Sequence, residues 1–229
     1  MANRSKNGGR ALITGASGGI GLELAREFAA HGHSVILVAR NEARLNEVAA
    51  ELVHTYAVEA NVIASDLGER SAPHALFGEV ARRNLEVDIL VNNAGLMETG
   101  AFKDADTETL LGIIQLNVEA LTALTSLFLK PMAARGRGRI LNVASLAGFQ
   151  PLPSMAVYAA SKAGLRAVAD RGPCRGIARQ GSNDDRALPR LHRHEYDRKR
   201  QAREPGVPGA SLRPDCRCEI RRARATAPA

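Results

Sequence analysis

The chain has 229 residues, 31 Lys+Arg against 24 Asp+Glu, a formal net charge of +7 and 3% aromatic residues. This length suits one domain with a sizeable core, and no unbroken apolar run reaches the roughly 18 residues of a membrane-spanning helix. Residues 1–9, MANRSKNGG, lack the apolar centre of a secretory signal, so the cytoplasm is the expected location.

The first apolar run, Ala11 to Thr14, enters a glycine-rich turn, and a helix-period segment, LELAREFAAHG, leaves it. Gly15 permits a tight turn after the strand. Gly19 and Gly21 let a pyrophosphate and the helix N-terminus approach closely, and Ser17 and Ile20 belong to the same candidate loop. A glycine-rich loop alone is a weak signal; its place between a strand and a helix gives it meaning. The second strand pattern, SVILVA, ends at Arg40-Asn41. Dinucleotide folds place a carboxylate at this point to hold the ribose 2′-hydroxyl. A guanidinium stands there instead, which suits a 2′-phosphate, so NADP is expected over NAD. The other reading of Arg40 is a solvated loop charge.

The third strand pattern, EANVIA, leads to Asp66-Leu67, and the fourth, DILVNN, runs into Asn92-Asn93-Ala94-Gly95. A helix pattern, IIQLNVEAL, carries Asn117, and the fifth strand pattern, RILNVA, leads to Ser145. Strands alternating with helical segments predict an α/β fold with a doubly wound, Rossmann-like parallel sheet. Ligands bind beyond the carboxyl ends of such strands, where the glycine loop, Asp66, Asn92 and Ser145 all fall.

Tyr158 and Lys162 follow, four residues apart, on one face of a predicted helix. A free tyrosine titrates near pH 10, and a fixed cation beside it favours the phenolate. The pair can therefore donate and accept a proton at a carbonyl/alcohol centre. Taken alone, the same spacing also describes an ordinary amphipathic helix.

Together the glycine loop, Asn92-Asn93-Ala94-Gly95, Asn117, Ser145, Tyr158 and Lys162 resemble the short-chain dehydrogenase/reductase family, from about Arg10 to about Asp170. The resemblance implies hydride transfer between a nicotinamide cofactor and a small carbonyl or alcohol substrate. Asn117, Ser145, Tyr158 and Lys162 match its catalytic positions. It implies cofactor contacts at Gly15, Ser17, Gly19, Ile20, Gly21, Arg40, Asp66, Leu67, Asn93, Ala94, Gly95, Tyr158 and Lys162. Ser145 is expected to hold the substrate oxygen against Tyr158, which moves the proton. By resemblance, Lys162 binds the nicotinamide ribose as well as tuning the tyrosine, and Asn117 anchors a water that links Lys162 to solvent. Family members usually dimerise through the helices that contain Asn117 and Tyr158.

The sequence changes character after residue 170. Residues 1–170 hold 16 Lys+Arg and 17 Asp+Glu, whereas residues 171–229 hold 15 and 7. The last 59 residues also contain all three cysteines, six of the ten prolines and only six Ile, Leu, Val, Met or Phe. Such a segment buries too little apolar surface to offset its ordering entropy, so a disordered tail is expected. The further strand, Pro-Gly loop and substrate-covering helix that the resemblance implies are not readable there. Pro205-Gly206 and Pro208-Gly209 do not follow an apolar strand. Two origins fit: a change of coding frame near residue 170 in a GC-rich gene, or a genuine basic tail. With Tyr196 as its one aromatic, the tail lacks stacking residues for nucleic acid. The spacings of His192, His194, Cys216 and Cys218 match no common zinc pattern, so no metal is expected. The expected organisation is an incomplete dinucleotide-binding and catalytic domain over 1–170 and a tail over 171–229. The alternative to an oxidoreductase is a non-catalytic family remnant whose basic tail is disordered or binds nucleic acid non-specifically. Without the further strand and Pro-Gly loop, dimerisation is doubtful and little turnover is expected.

Overall fold

A computed structural model describes residues 8–150 and 152–171, with side chains described through Leu165. The expected tail lies outside the described residues.

Five strands form one parallel sheet in the order β3-β2-β1-β4-β5. They are β1 (Arg10–Thr14), β2 (Ser34–Ala39), β3 (Ala60–Ala64), β4 (Ile89–Asn92) and β5 (Arg139–Asn142). The centres of β1 and β2, Ala11–Ile13 and Val35–Val38, are continuously apolar because helices cover both faces of the sheet. Alternate residues feed two cores: Leu12, Ile36 and Val38 on one face, and Ala11, Ile13, Val35 and Leu37 on the other. The second core is closed by α1 (Gly19–Ala30) and α2 (Glu42–Tyr56) through Leu24, Phe28, Leu45 and Leu52. The first is closed by α3 (Ala72–Arg82) and α5 (Leu121–Arg135), whose Phe77 and Phe128 meet edge to face at 5.1 Å. Such an aromatic pair contributes about 0.5–1.5 kcal/mol beyond the area it buries.

The predicted strands all occur: β2 has the expected bounds, β1 begins one residue earlier, and β3, β4 and β5 are shorter by one or two residues. Asn41 caps α2 by accepting from the Arg44 amide at 3.0 Å, a bond that satisfies one of the helix's free N–H groups. Between α4 (Thr107–Ile114) and α5 the helix continues through a π segment, Gln115–Ala120. The continuous helix Thr107–Arg135 contains an 18-residue window of mean hydropathy 1.5 and has the length to cross a membrane. No sequence run had suggested this, because Gln115, Asn117, Glu119 and Lys130 interrupt the apolar residues. Part of its apolar surface belongs to the core: Leu121, Leu124, Phe128 and Met132 are buried against the sheet. Helix α6 (Ala156–Arg171) starts two residues ahead of Tyr158.

The chain builds outward from β1 to β3, then returns to pair β4 with β1, Ile13 opposite Val91. That reversal separates the loops after β1 and β4 and opens a crevice at their carboxyl ends.

Candidate active site

The glycine loop is shaped by its neighbours. Gly15 has φ +68°, and a Cβ there would lie 2.8 Å from Asn93 Nδ2. A Cβ on Gly21 would lie 2.2 Å from the Gly15 carbonyl oxygen, an impossible approach. Gly21 is therefore required by the packing of α1 against the β1 turn. Gly18 and Gly19 are exposed and would meet nothing within 4 Å, so space beyond the loop is open there. The N-cap of α1, Gly18, offers no side chain to the first-turn amides. Free N–H groups at a helix start, with room in front of them, form an anion cradle. A dinucleotide pyrophosphate fits this loop. Ser17 is half-exposed beside it, and Ile20 is 63% exposed in the first turn.

Thr14, which the sequence reading passed over, ties this loop to β4. Its hydroxyl donates to the Val91 carbonyl at 3.1 Å and accepts from the amides of Asn93 and Ala94 at 2.9 and 3.0 Å. The Asn93 side chain donates to the Thr14 carbonyl at 2.9 Å. Asn93 thus serves by fixing the Gly15 turn, and its amide group is engaged by protein. Asn92 is buried and donates to Thr125 and Asn142, joining β4 to α5 and β5.

Asn117 is 1% exposed inside the π segment. Its Oδ1 accepts from the Leu96 amide at 2.8 Å, and its Nδ2 donates to the Leu96 carbonyl at 2.9 Å and to Ser161 Oγ at 3.0 Å. Ser161 in turn donates to the Tyr158 carbonyl at 2.7 Å. Both amide protons and one lone pair of Oδ1 are engaged by protein, so the side chain anchors the loop after β4 and the helix of Tyr158. A Cβ on Gly95 would lie 3.3 Å from Asn117 Oδ1 and 3.6 Å from Lys162 Nζ, so these three converge.

Lys162 is 6% exposed, and its Nζ donates to the Val143 carbonyl at 3.1 Å, just beyond β5. The ammonium lies 5.8 Å from the centroid of the Tyr158 ring. Burial holds its pKa below the ordinary lysine value. Ser145 begins a short 3-10 turn, Leu146–Gly148, and its hydroxyl accepts from the Ala147 amide at 3.2 Å. That turn packs directly on α6, since a Cβ on Gly148 would lie 2.7 Å from the Lys162 carbonyl. The fold therefore draws Gly95, Asn117, Ser161, Lys162 and Tyr158 into one cluster, with the Ser145 turn against the same helix.

Arg40 and Asp66 stand apart from this cluster, at the carboxyl ends of neighbouring strands β2 and β3. Both are exposed, 4.0 Å apart at their closest charged atoms. Asp66 also accepts from the Gly68 amide at 3.0 Å. Leu67 is buried in the core, so only its backbone is available to a ligand. Among the described residues no group of three or more His, Cys, Asp or Glu could hold a metal ion.

A family model described as short chain dehydrogenase matches residues 10–172. The chain belongs to the short-chain dehydrogenase family. Within that family, a very-long-chain 3-oxoacyl-CoA reductase from Anas platyrhynchos is 36% identical over 160 residues, 68% of this chain and 51% of that protein. The chain spans about half the length of such curated relatives. Among solved structures, a bulky-bulky ketone specific alcohol dehydrogenase from Comamonas testosteroni superposes with a TM-score of 0.68 at 33% identity. The match covers 72% of this chain and 66% of that one. A short-chain dehydrogenase from Sphingobium yanoikuyae, solved with NADPH, gives 0.67 at 35% identity, covering 71% and 63%.

Proposed function

We propose that this chain is an NADP(H)-dependent oxidoreductase acting on a small carbonyl or alcohol substrate. One observation carries the reading: a buried ammonium, Lys162, is held by the Val143 carbonyl beside the Tyr158 ring, in a cluster next to the glycine-loop crevice. A desolvated cation beside a phenol favours its ionised form, which a proton-transfer residue requires. When bound, a nicotinamide dinucleotide supplies or accepts the hydride. The amides at the start of α1 hold its pyrophosphate, and Arg40 holds the 2′-phosphate that distinguishes NADP. Tyr158 transfers the proton at its hydroxyl, Ser145 orients the substrate oxygen, and Lys162 sets the charge beside the phenol. Asn117 and Ser161 position the helix that carries Tyr158.

The NADPH and NADP complexes of related structures support the cofactor choice. So does Arg40, whose exposed guanidinium stands at the end of β2 at the 4.0 Å limit of an ion pair with Asp66. A shallow apolar groove along α4, the π segment and α6, lined by Ile114, Val118, Val157 and Ala160, supports the family's helix-to-helix dimer.

The test is a calorimetric titration of the full chain with NADPH and NADH. The expected result is tighter binding of NADPH, with the preference lost in Arg40→Ala. Equal affinity for the two, or an unchanged preference in the variant, removes Arg40 as the discriminator.

A further inference from the structure

A cavity of about 120 Å³ opens beside Tyr158, between the loop after β4 and the start of α6. Phe102, Ala105, Leu110, Ile113 and Met155 line it together with Glu98. An engineered apolar cavity of ~150 Å³ binds benzene, so a ring or a short alkyl group fits this one. The surface around the site is apolar as well. Leu96, Met97 and Phe102 after β4, and Leu146 and Phe149 after β5, are 42–66% exposed. Large apolar side chains gathered on two loops flanking one site mark a ligand-binding surface.

The charge of this rim is one-sided. Residues 96–110 contain Glu98, Asp104, Asp106 and Glu108 against one cation, Lys103. Lys103 is committed, with Nζ 3.1 Å from Asp104 Oδ1. Asp106 stays ionised, since the amide and hydroxyl of Thr109 donate to it and hold its pKa below the ordinary aspartate value. Glu98 is the acidic residue that lines the cavity itself.

We infer that Glu98 is a specificity-determining residue, which makes this site select uncharged carbonyl compounds bearing an aryl or alkyl group over anionic ones. The inference rests on the oxidoreductase reading for the site's chemistry, but the selection is a property of binding and is measured without turnover. A unit negative charge brought to within roughly 8 Å of the Glu98 carboxylate lowers affinity about thirtyfold at an effective dielectric of about 20, and about twofold where water fully screens the pair. The effect shrinks as salt shortens the Debye length below that distance.

The experiment compares acetophenone with 4-acetylbenzoate, which share a ring and a ketone and differ by one carboxylate. Binding to the full chain is measured by ligand-observed NMR at low and high salt, for the parent, Glu98→Gln and Glu98→Lys. Glu98 is an exposed loop residue, so both variants keep the fold. The expected result is a fivefold or greater preference for acetophenone, reduced to about twofold in Glu98→Gln and reversed in Glu98→Lys, each shift weakened by salt. A parent that prefers the carboxylate, binds neither compound, or keeps its ratio in both variants overturns the inference. Binding that follows the expected pattern without any turnover sinks the oxidoreductase reading and leaves the selectivity standing.

Discussion

The ammonium of Lys162 donates to the main-chain carbonyl of Val143 at 3.1 Å, across the gap between helix α6 and the end of β5. One bond fixes the cation beside Tyr158 and joins the helix to the sheet. It does so at a cost, because the charge is removed from water with a single carbonyl to compensate it.

That cost predicts a stabilised but inactive variant. Burial depresses the folded-state pKa of Lys162 below the ordinary lysine value of 10.5, so its stabilising contribution is present above that value and is lost as pH falls. At neutral pH the charged side chain opposes folding. Lys162→Met keeps the apolar stem, and its unfolding midpoint at pH 7 is expected at or above the parent's, with the difference shrinking as pH rises towards 10.5. Thermal scans across that range check it; a midpoint several degrees lower shows that the bond to Val143 outweighs the desolvation.

Asn117 is expected to matter first as a structural anchor. Asn117→Ala leaves the Leu96 amide, the Leu96 carbonyl and Ser161 Oγ without their partner in a buried place. Leaving such groups unsatisfied costs about 1–3 kcal/mol each when they stay dry, and about 3 kcal/mol in total is expected after partial rehydration. Denaturant titration measures it. A loss under about 0.5 kcal/mol, the range of ordinary surface substitutions, shows that the three bonds do not form in solution.

The glycine loop offers a paired comparison. Gly21→Ala pushes a methyl into the Gly15 carbonyl, whereas Gly18→Ala meets open space with extended backbone at φ −176°. Gly21→Ala is expected to lower stability by about 1–3 kcal/mol, as overpacking does, and to weaken nucleotide binding. Gly18→Ala should stay within about 0.5 kcal/mol of the parent. Equal effects on stability contradict the packing role given to Gly21.

How much of this was legible beforehand follows from what each feature depends on. The five strands could be read because a sheet covered on both faces demands nearly continuous apolar residues, as in SVILVA. The π segment around Asn117 could not, because IIQLNVEAL has ordinary helical spacing. Its shifted register accompanies the bonds between Asn117 and the Leu96 backbone, a contact 21 residues away in sequence. Gly21 was recognised as part of the loop, but a glycine required for packing looks the same in sequence as one required for ligand approach. Thr14 closes the first apolar run, and its place at a strand end just before Gly15 was the available signal. The proximity of Arg40 to Asp66 depends on β2 pairing with β3, which periodicity does not give.

Away from the site, His33 predicts acid sensitivity. It is 3% exposed, edge-on to Phe28 at 5.5 Å, and neither ring nitrogen has a hydrogen bond of normal geometry. Burial lowers its pKa below 6.5, and the nearby Gly9 and Gly8 backbone offsets this only in part. The unfolded chain therefore takes up a proton first, so stability present above pH 6.5 is lost as pH falls towards the folded-state value. Chemical denaturation of the parent should show this decline, and His33→Leu should flatten it. An identical slope in both assigns the acid response elsewhere.

The most direct measurement is NADPH-dependent reduction of an uncharged ketone by the full chain and by Tyr158→Phe, with NADPH binding followed in parallel. The expected result is turnover in the parent, a loss of about 10²–10⁴-fold in the variant, and an NADPH affinity that stays within about twofold, since only the proton path is removed. Turnover in Tyr158→Phe close to the parent's, or a parent that binds NADPH and reduces no ketone, contradicts the proposed chemistry of the Tyr158–Lys162 site.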